Sequence, residues 1–290
     1  MNNLQNHLQD RVETLRALLE NAECVLIGGG SGLSSAAGLT YSGQRFTENF
    51  GDFIERYGMT DMYSAGFYPF RTQEEKWAYW SRHINLNRFL PPALPLYKSL
   101  FELVKDKEYF VITTNVDHQF YKAGFAPERI FAVQGDYGKI QCAKGCHDRL
   151  YDDRSLVHQM VSEQKDCHIP ADLVPKCPVC GRDMEVNIRK DMYFVQDADW
   201  YRAAERYEAF CEDACQGKTV LLELGVGFNT PTIIRFPFER MTYRGEGVRL
   251  IRCNAEYPEP IEENARKTIS FDEDMTAVCK RCADAPAHRA

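Results

Sequence analysis

The chain has 290 residues, of which 44% are hydrophobic and 27% are charged, as in an ordinary soluble globular protein. No apolar run approaches the ~20 residues that a membrane helix needs, so we expect no contact with membranes. The net charge of −7 argues against nucleic acid as the main partner, because proteins that bind phosphate backbones need a basic surface. The first residues carry neither a basic region nor an apolar core, which predicts a cytoplasmic protein without a signal peptide.

Helices and strands alternate along the predicted chain. Residues 3–20 carry Val12 and Leu15 on one helical face, and the apolar residues 24–27 predict a strand that is buried on both faces. Further strands are predicted at 109–113, 129–133, 219–225 and 248–254, and further helices at 71–87, at 95–105, from about 117 and at 197–216. This alternation predicts an α/β protein whose parallel sheet is covered by helices on both faces.

A glycine-rich turn follows the first predicted strand. Gly28, Gly29 and Gly30 come first, and a run of small residues that can begin a helix starts at Ser31. A strand that turns into a helix in this way leaves backbone N–H groups bare at the positive end of the helix dipole, where a phosphate can bind. The alternative is that the glycines serve tight packing. No Lys-Ser or Lys-Thr follows them, which disfavours a nucleoside triphosphatase and favours a dinucleotide.

Residues 43–70 are rich in aromatic side chains but follow neither a helical nor a strand period. The aromatic residues are Phe46, Phe50, Phe53, Tyr57, Tyr63, Phe67, Tyr68 and Phe70. Irregular segments with aromatic residues and glycines often close over ligands, whereas the simpler interpretation is an aromatic packing region. The sequence leaves both interpretations open.

Residues 136–192 differ in character from the rest and are predicted to be an inserted module. They contain two cysteine pairs, Cys142 with Cys146 and Cys177 with Cys180. Four thiolates on two turns can surround Zn²⁺ tetrahedrally, although thiolates alone also suit an iron–sulfur cluster. Four protein ligands leave no open coordination position, so such a zinc site is structural. The alternative is four reduced, unpaired thiols.

Four segments, taken in order, resemble the sirtuin family. Residues 30–41, Gly-Ser-Gly-Leu-Ser-Ser-Ala-Ala-Gly-Leu-Thr-Tyr, are similar to the signature Gly-Ala-Gly-Ile-Ser-x-x-Ser-Gly-Ile-Pro-Asp, and residues 113–117, Thr-Thr-Asn-Val-Asp, resemble Thr-Gln-Asn-x-Asp. The cysteine pairs fall where sirtuins keep a structural zinc. Residues 225–229 and the strand that ends at Asn254 resemble the late NAD-binding segments. The resemblance spans roughly residues 20–255.

The resemblance implies a Rossmann-type domain that binds NAD, built from residues 1–45, 106–135 and 193–290. Residues 46–105 would form a helical and aromatic insertion that carries the cofactor loop, and residues 136–192 would form the zinc-binding module. The residues implied for NAD binding are Gly30, Ser31, Gly32, Ser34, Gly38, Leu39, Asn115, Asp117, Gln134, Gly225, Gly227, Asn229 and Asn254.

The sequence departs from the sirtuin pattern at Gln134, which stands where sirtuins carry the catalytic histidine. In a deacylating sirtuin this histidine takes a proton from a ribose hydroxyl, whereas a glutamine amide is neutral and offers only hydrogen bonds. We therefore expect deacylation to be weak. Gln134 can instead hold the ribose hydroxyls while a protein side chain attacks C1′. That reaction is ADP-ribosyl transfer, whose oxocarbenium-like state is stabilised by oriented polar groups.

Gln134, the aromatic stretch and residues 186–189 (Val-Asn-Ile-Arg) make the chain similar to the macrodomain-linked class M sirtuins of pathogenic microbes. This resemblance implies an NAD-dependent protein ADP-ribosyltransferase. Its acceptor would be a lipoylated carrier protein of the glycine-cleavage H type, and a macrodomain protein that removes ADP-ribose would be a further partner. The implied reaction centre is Asn115, Asp117, Gln134, Asn187 and Arg189. Taken alone, Asn115 and Asp117 are typical of a helix N-cap, and Arg189 of an exposed strand.

Two other functions stay open at this stage. A lysine deacylase would need another base, and His118 is the nearby candidate, in a segment that predicts a helix pointing elsewhere. A protein that senses NAD or ADP-ribose without catalysis is the other possibility. Substitution of Gln134 by histidine separates the transferase from the deacylase, because deacylation should rise only where an acyl channel exists.

Overall fold

The structure, a computed structural model, describes residues 2–214 and 216–284, with the side chains of 7–214 and 216–283. The strands are β1 Cys24–Gly29, β2 Glu108–Thr113, β3 Ile130–Ala132, β4 Gly135–Cys142, β5 Tyr151–Asp152, β6 Met184–Ile188, β7 Thr219–Leu224, β8 Val248–Cys253 and β9 Thr268–Phe271. The α-helices are α1 Asn2–Asn21, α2 Ser31–Ala36, α3 Gln44–Asn49, α4 Gly51–Tyr57, α5 Met62–Ala65, α6 Gln73–Ile84, α7 Pro95–Val104, α8 Gln119–Lys122, α9 Arg154–Glu163, α10 Ala198–Ala214, α11 Arg235–Arg244 and α12 Met275–Asp284.

Six parallel strands form the main sheet, in the order β3-β2-β1-β7-β8-β9. β1 lies inside the sheet and all of its residues are buried, as its apolar run predicts. The chain builds the sheet outward from β1 to β3 and then returns to add β7 on the other side of β1. The strand order therefore reverses beside β1, where ligands of open α/β sheets bind outside the carboxyl ends of the strands. The predicted α/β fold with a parallel sheet is confirmed.

Two apolar cores cover the faces of this sheet. One includes Val12 of α1, Leu100 of α7 and Val278 of α12, and the other includes Phe238 of α11 with Trp200 of α10 packed against it. Helix α7 therefore belongs to the core of the main sheet, although its residues fall within the segment 46–105 that the sequence assigned to the insertion. Each large apolar side chain buried in this way contributes about 1.5–3 kcal/mol.

A second lobe has a core of its own, to which both predicted insertions contribute. Phe50 and Trp77 from the helical segment pack with Ile140 and Val186 from the cysteine-bearing segment, which carries the three-stranded antiparallel sheet β5-β4-β6. Most of the aromatic side chains of residues 43–70 are thus packing residues. Tyr63 and Phe67 are different, since they are exposed by 61% and 58%.

Helix α6 begins at Gln73 because the residues before it form a capping box. Thr72 Oγ1 accepts a hydrogen bond from the N–H of Glu75 at 3.2 Å, and the carboxylate of Glu75 accepts one from the N–H of Thr72 at 3.4 Å. The predicted apolar face of this helix is buried, as Trp77 and Ile84 show. A π-helical turn at Asn85–Phe89 follows directly.

Helix α11, strand β9 and helix α12 were not predicted from the sequence. Strand β9 is a four-residue edge strand with mostly half-buried residues, so no buried apolar run marks it. Helix α12 buries Cys279 and Cys282 in the core of the main sheet. Their spacing resembles that of the zinc-binding pairs, but it places both side chains on the buried face of a helix. Within residues 2–214 and 216–284, no helix combines the length and the apolar character that crossing a membrane requires.

Helix α6 also buries a histidine, His83, which is 1% exposed. The hydroxyl of Tyr79 donates to the carbonyl oxygen of Met62 at 2.6 Å, so His83 Nδ1 donates to Tyr79 Oη at 3.2 Å. His83 Nε2 is then an unprotonated acceptor, and no described residue donates to it. Burial lowers the pKa of His83 to about 3, so the imidazole is neutral at physiological pH.

We expect the free energy of unfolding to decrease as the pH falls below about 6.5, because the unfolded His83 gains a proton that the folded one does not accept. The contribution is fully present above the unfolded pKa and is lost down to a pH of about 3. At a pH of about 5 the loss from this group is about 2 kcal/mol. Urea unfolding of the parent and of His83→Phe measures it, since the variant should lose less stability between neutral pH and pH 5. Equal losses in the two proteins would contradict the prediction.

Candidate active site

A cleft of about 480 Å³ lies at the carboxyl ends of β1 and β2, between the main sheet and the second lobe. The predicted site residues that line it are Ser31, Ser34, Leu39, Asn115, Asp117, Gln134, Arg189 and Asn229. The predicted residues outside its lining are Gly30, Gly32, Gly38, Asn187, Gly225, Gly227 and Asn254. The cleft lies where the strand order reverses, which is the position at which ligands of open α/β sheets bind.

A directed chain of hydrogen bonds runs along the floor of this cleft to Asp117. Asn115 Nδ2 donates to Tyr97 Oη at 3.3 Å, and the hydroxyls of Tyr97 and Ser34 lie 2.8 Å apart. Ser34 Oγ in turn donates to the carboxylate of Asp117. Because each hydroxyl has a single proton, Tyr97 donates to Ser34 and the chain has one direction. Burial raises the pKa of Asp117 although Ser34 and the N–H of Gln119 both donate to it.

Asn115 also ties the loop after β2 to the glycine-rich turn, since its Nδ2 donates to the carbonyl oxygen of Gly30 at 2.8 Å. Its own N–H donates to Thr113 Oγ1 at 3.0 Å. No described residue donates to Asn115 Oδ1, which therefore can accept a hydrogen bond from a ligand. The N-cap interpretation holds in part for Asp117, which accepts the N–H of Gln119, the first residue of α8.

The glycines of the turn are required by packing against β7. A Cβ on Gly30 would lie 2.5 Å from the carbonyl oxygen of Gly225, and one on Gly32 would lie 2.8 Å from Gly225 Cα. The N–H groups of Gly30 and Gly32 are also occupied, because they donate to Leu224 and Gly225 at 2.9 and 3.0 Å. These two amides are therefore not free for a phosphate, and tight packing explains both glycines, while phosphate binding by this turn stays a prediction.

Gln134 and Arg189 lie side by side, just before the start of β4 and just after the end of β6. The N–H of Arg189 donates to the carbonyl oxygen of Gln134 at 3.0 Å. Gly135 has φ +99° and passes so close to Asn187 that a Cβ would lie 2.0 Å from its carbonyl oxygen, so only glycine fits beside Gln134. The side chain of Gln134 makes no hydrogen bond to the described residues. The guanidinium of Arg189 packs over the ring of Phe194 at 4.9 Å.

Asn187 lies below the cleft, in the interior of the second lobe. Its Nδ2 donates to Gln141 Oε1 at 2.7 Å and to the carbonyl oxygen of Val195 at 3.1 Å, and the residue is 2% exposed. The amide of Asn254 is used in a similar way, since it donates to the carbonyl oxygen of Val226 at 2.8 Å and accepts the N–H groups of two following residues. Both side chains therefore fix the backbone around the cleft.

Sequence reasoning missed the tyrosines of this site. Tyr97 takes part in the hydrogen-bonded chain to Asp117, and the hydroxyls of Tyr41 and Tyr137 meet at 2.9 Å in the wall of the cleft. Burial raises the pKa of Tyr41 to about 12, so its hydroxyl stays protonated and can donate. The signal available for Tyr41 was its place in the motif, where sirtuins carry an aspartate. Tyr97 carried no signal, because it sits on the apolar face of α7.

His118 lies outside the lining of the cleft. Its Nδ1 is 2.8 Å from Asp136 Oδ2, and its ring stacks on Tyr121 with 4.0 Å between centroids. Asp136 is bound in addition by Arg88, whose Nε donates at 2.7 Å. His118 therefore belongs to a cluster with Asp136 and Arg88 outside the cleft. This position weakens the deacylase hypothesis, which needed His118 as a base.

The four predicted cysteines of the second lobe come together at one point. The Sγ atoms of Cys142, Cys146, Cys177 and Cys180 all lie within 4.8 Å of one another. The pairs Cys142–Cys180 and Cys146–Cys177 are 3.7 and 3.6 Å apart, close to the ~3.8 Å edge of a tetrahedron whose Zn–S bonds are ~2.3 Å. Backbone N–H groups also donate to Cys142 and Cys177, which favours their thiolates. The set is compatible with a structural zinc.

Comparisons with known proteins agree with this geometry. No protein-family model matches the chain. The chain is 38% identical over 282 residues to a protein ADP-ribosyltransferase of Staphylococcus aureus, an alignment that covers 96% of this chain and 89% of the relative. It is 31% identical over 260 residues to a protein of Fusarium oxysporum f. sp. cubense named "Probable bifunctional ADP-ribose hydrolase/ADP-ribosyltransferase". That alignment covers 86% of this chain and 43% of the relative, so the chain spans less than half of that protein.

Solved structures of Sir2 proteins share the fold of this chain. Sir2Tm bound to a propionylated peptide matches with a TM-score of 0.58 and 15% identity, over 93% of this chain and 96% of that chain. A complex of a Sir2 homolog with NAD matches with a TM-score of 0.58 and 15% identity, over 93% and 91%. These matches establish the class, a protein with the sirtuin fold. The identity to the Staphylococcus protein then defines the family: the chain belongs to the protein ADP-ribosyltransferases of this fold, as its resemblance predicted.

Proposed function

We propose that the protein takes NAD as co-substrate, transfers its ADP-ribose to a protein acceptor and releases nicotinamide. The observation that carries this proposal is the set of polar groups in the cleft. Asn115, Asp117, Gln134 and Arg189 line it together, and no histidine is found in its lining among the described residues. Oriented polar groups without a histidine base suit a reaction whose transition state is a developing oxocarbenium ion.

The residues of the chain divide the work between binding and reaction. NAD supplies an ADP-ribosyl group whose C1′–nitrogen bond breaks as a deprotonated acceptor side chain bonds to C1′. The electron pair of the broken bond leaves with neutral nicotinamide. Gln134 and Asn115 Oδ1 hold ribose hydroxyls, and Asp117 stabilises the positive charge that develops on the sugar. Arg189 holds phosphate or a carboxylate acceptor. Asn229, the serines of the glycine-rich turn and the backbone of Gly225 and Gly227 hold the rest of NAD. Asn254 fixes that backbone through its hydrogen bond to Val226.

We further propose the partners that the family resemblance implies. The acceptor is a lipoylated carrier protein of the glycine-cleavage H type, and a macrodomain protein removes the modification. The name of the Fusarium relative supports the macrodomain partner, since it joins an ADP-ribose hydrolase with an ADP-ribosyltransferase in one protein. Zinc, held by the four cysteines, serves the fold of the second lobe and takes no part in the reaction.

The test is incubation with NAD labelled on adenine, in the presence of the lipoylated carrier, the unlipoylated carrier or an acylated peptide. We expect label on the lipoylated carrier alone. Gln134→Ala should lower the rate of labelling by about tenfold to a hundredfold, because it removes one oriented polar group from the transition state. Gln159→Ala, on the exposed face of α9, is the matched control and should leave the rate unchanged.

Two other results of this incubation would overturn the proposal. Release of O-acyl-ADP-ribose from the acylated peptide without any labelled protein would overturn the transferase and restore the deacylase. Intact NAD in every mixture, with NAD binding still measurable by calorimetry, would overturn both enzymes in favour of a sensor. Gln134→His distinguishes the first two further, since it restores a base where the sirtuin reaction needs one.

A further inference from the structure

A groove of about 410 Å³ adjoins the candidate catalytic cleft. Phe67 and Lys190 line both hollows, so the groove continues the cleft outward. Its wall is the chain from Gly66 to Gln73, together with Lys76 and Trp80 at the start and middle of α6. None of the residues predicted to bind NAD lines this groove, so the reaction proposed above leaves it unused.

Cations are concentrated in this groove. Lys76 Nζ and Lys190 Nζ both bind Oε2 of Glu185, at 2.6 and 2.8 Å. The side chain of Glu185 is only 13% exposed, so it fixes both ammonium groups from below. An ammonium has three N–H donors, and the contact with Glu185 uses one of each, which leaves donors for a ligand. Arg71 is the third cation, and no carboxylate among the described residues pairs with its guanidinium.

None of the described residues that line the groove is acidic, and the nearby carboxylate of Glu75 does not cancel this charge. Glu75 lies below the groove and is buried, where it accepts the hydroxyl proton of Tyr57 at 3.0 Å and the backbone N–H of Arg71 at 3.1 Å. It also pairs with Arg56 at 3.7 Å. The groove therefore keeps an excess of positive charge on a chain whose net charge is −7.

We propose that this groove holds an acidic segment of the protein acceptor while the neighbouring acceptor side chain reaches into the cleft. The inference rests on the proposed function and names the chemistry of its partner. An acidic segment is repelled by most of this acidic chain and attracted at the groove, which orients the acceptor as it arrives. Tyr63 and Phe67 stand exposed at the mouth, edge to face with 5.4 Å between centroids, and supply apolar contact area beside the cations.

The test uses a fluorescein-labelled peptide of about twelve residues that alternates glutamate with alanine and one tyrosine, and its counterpart with glutamine in place of glutamate. By fluorescence anisotropy we expect the acidic peptide to bind more tightly than the glutamine peptide, and its affinity to fall as salt is added. Arg71→Glu should raise the Kd for the acidic peptide about tenfold. Lys76→Met, which keeps the apolar stem, should raise it less. Lys98→Glu on the exposed face of α7 is the matched control and should not change it.

Equal affinity for the two peptides would overturn the inference, and so would an acidic-peptide Kd that Arg71→Glu and Lys98→Glu change alike. Circular dichroism and NAD calorimetry on each variant exclude misfolding. Arg71 and Lys98 do not line the cleft, so their substitution should leave NAD binding unchanged. The two proposals fail separately. Peptide binding that depends on Arg71 without NAD cleavage supports the groove and rejects the transferase, whereas carrier labelling that Arg71→Glu leaves unchanged supports the transferase and rejects the groove.

Discussion

Replacement of Cys177 by serine is expected to abolish zinc binding and to melt the second lobe. The thiolate of Cys177 is 2% exposed and belongs both to the four-sulfur cluster and to the apolar core of that lobe. A serine hydroxyl is a poor zinc ligand, and the three cysteines that remain cannot complete a tetrahedron. Structural zinc contributes about 10–16 kcal/mol of apparent binding energy in small zinc peptides, so its loss is comparable to the stability of an ordinary domain.

The measurements are the metal content by mass spectrometry and the thermal unfolding of the purified protein. We expect the parent to carry one zinc per chain and Cys177→Ser to carry none, with a melting temperature lower by about 10 °C or more. Cys167→Ser is the matched control, because Cys167 is equally buried in the same core but lies outside the cluster. A parent that is free of metal and stable, or a Cys167→Ser variant that loses as much, would contradict the zinc site.

The local features of this site could be predicted from the sequence because they depend on neighbouring residues. Cys142 and Cys146 are close in the sequence at a spacing typical of metal ligands. Strand β1 is recognisable as an apolar run that ends in glycines. The reason for those glycines could not be predicted, since Gly30 and Gly32 pack against Gly225, which follows β7 and is almost two hundred residues away in the chain. Local patterns identify an element, whereas its packing partner depends on the topology of the sheet.

The side chains of the cleft show the same division. Gln134 and Asn115 were found through their motifs, and both line the cleft. Asn187 belongs to a motif as well, but its amide is held by Gln141 and Val195, because a buried amide must find partners in the lobe that surrounds it. Tyr97 could not be predicted, since a tyrosine that joins the hydrogen bonds to Asp117 and a tyrosine that only fills a core look alike on the apolar face of a helix.

A buried charge network beneath the late loops gives the second large expected effect. Arg252 on β8 is 0% exposed, and its Nε and Nη2 donate to the two carboxylate oxygens of Glu223 at 2.7 and 3.0 Å. Nη2 also reaches Glu239 at 2.9 Å, and Nη1 donates to the carbonyl oxygen of Glu259 at 2.7 Å. The network therefore joins β7, β8 and α11 to the loop that follows Asn254.

We expect Arg252→Met to lower the free energy of unfolding by about 3–5 kcal/mol, because it leaves the carboxylate of Glu223 buried without its bidentate partner. The double variant Arg252→Met with Glu223→Gln should lose less than Arg252→Met alone, since it removes the stranded charge. Arg249→Met is the control on the same strand, where the guanidinium donates only to backbone carbonyls near the surface. Urea unfolding of the parent, Arg252→Met, Glu223→Gln and the double variant measures the coupling between the two side chains, and a double variant that is less stable than Arg252→Met would contradict it.

The pH dependence of Arg252→Met separates a stranded charge from a simple loss of packing. Burial already raises the pKa of Glu223 in the parent, although Arg252 and Arg235 both act to lower it. Without Arg252 that pKa rises further, so the folded variant keeps a proton that the unfolded chain releases above about pH 4.5. The variant should therefore lose stability, relative to the parent, as the pH is raised from about 5 to about 8. If the difference in the free energy of unfolding between variant and parent stays constant over this range, the whole effect comes from packing and the charges of the network do not contribute.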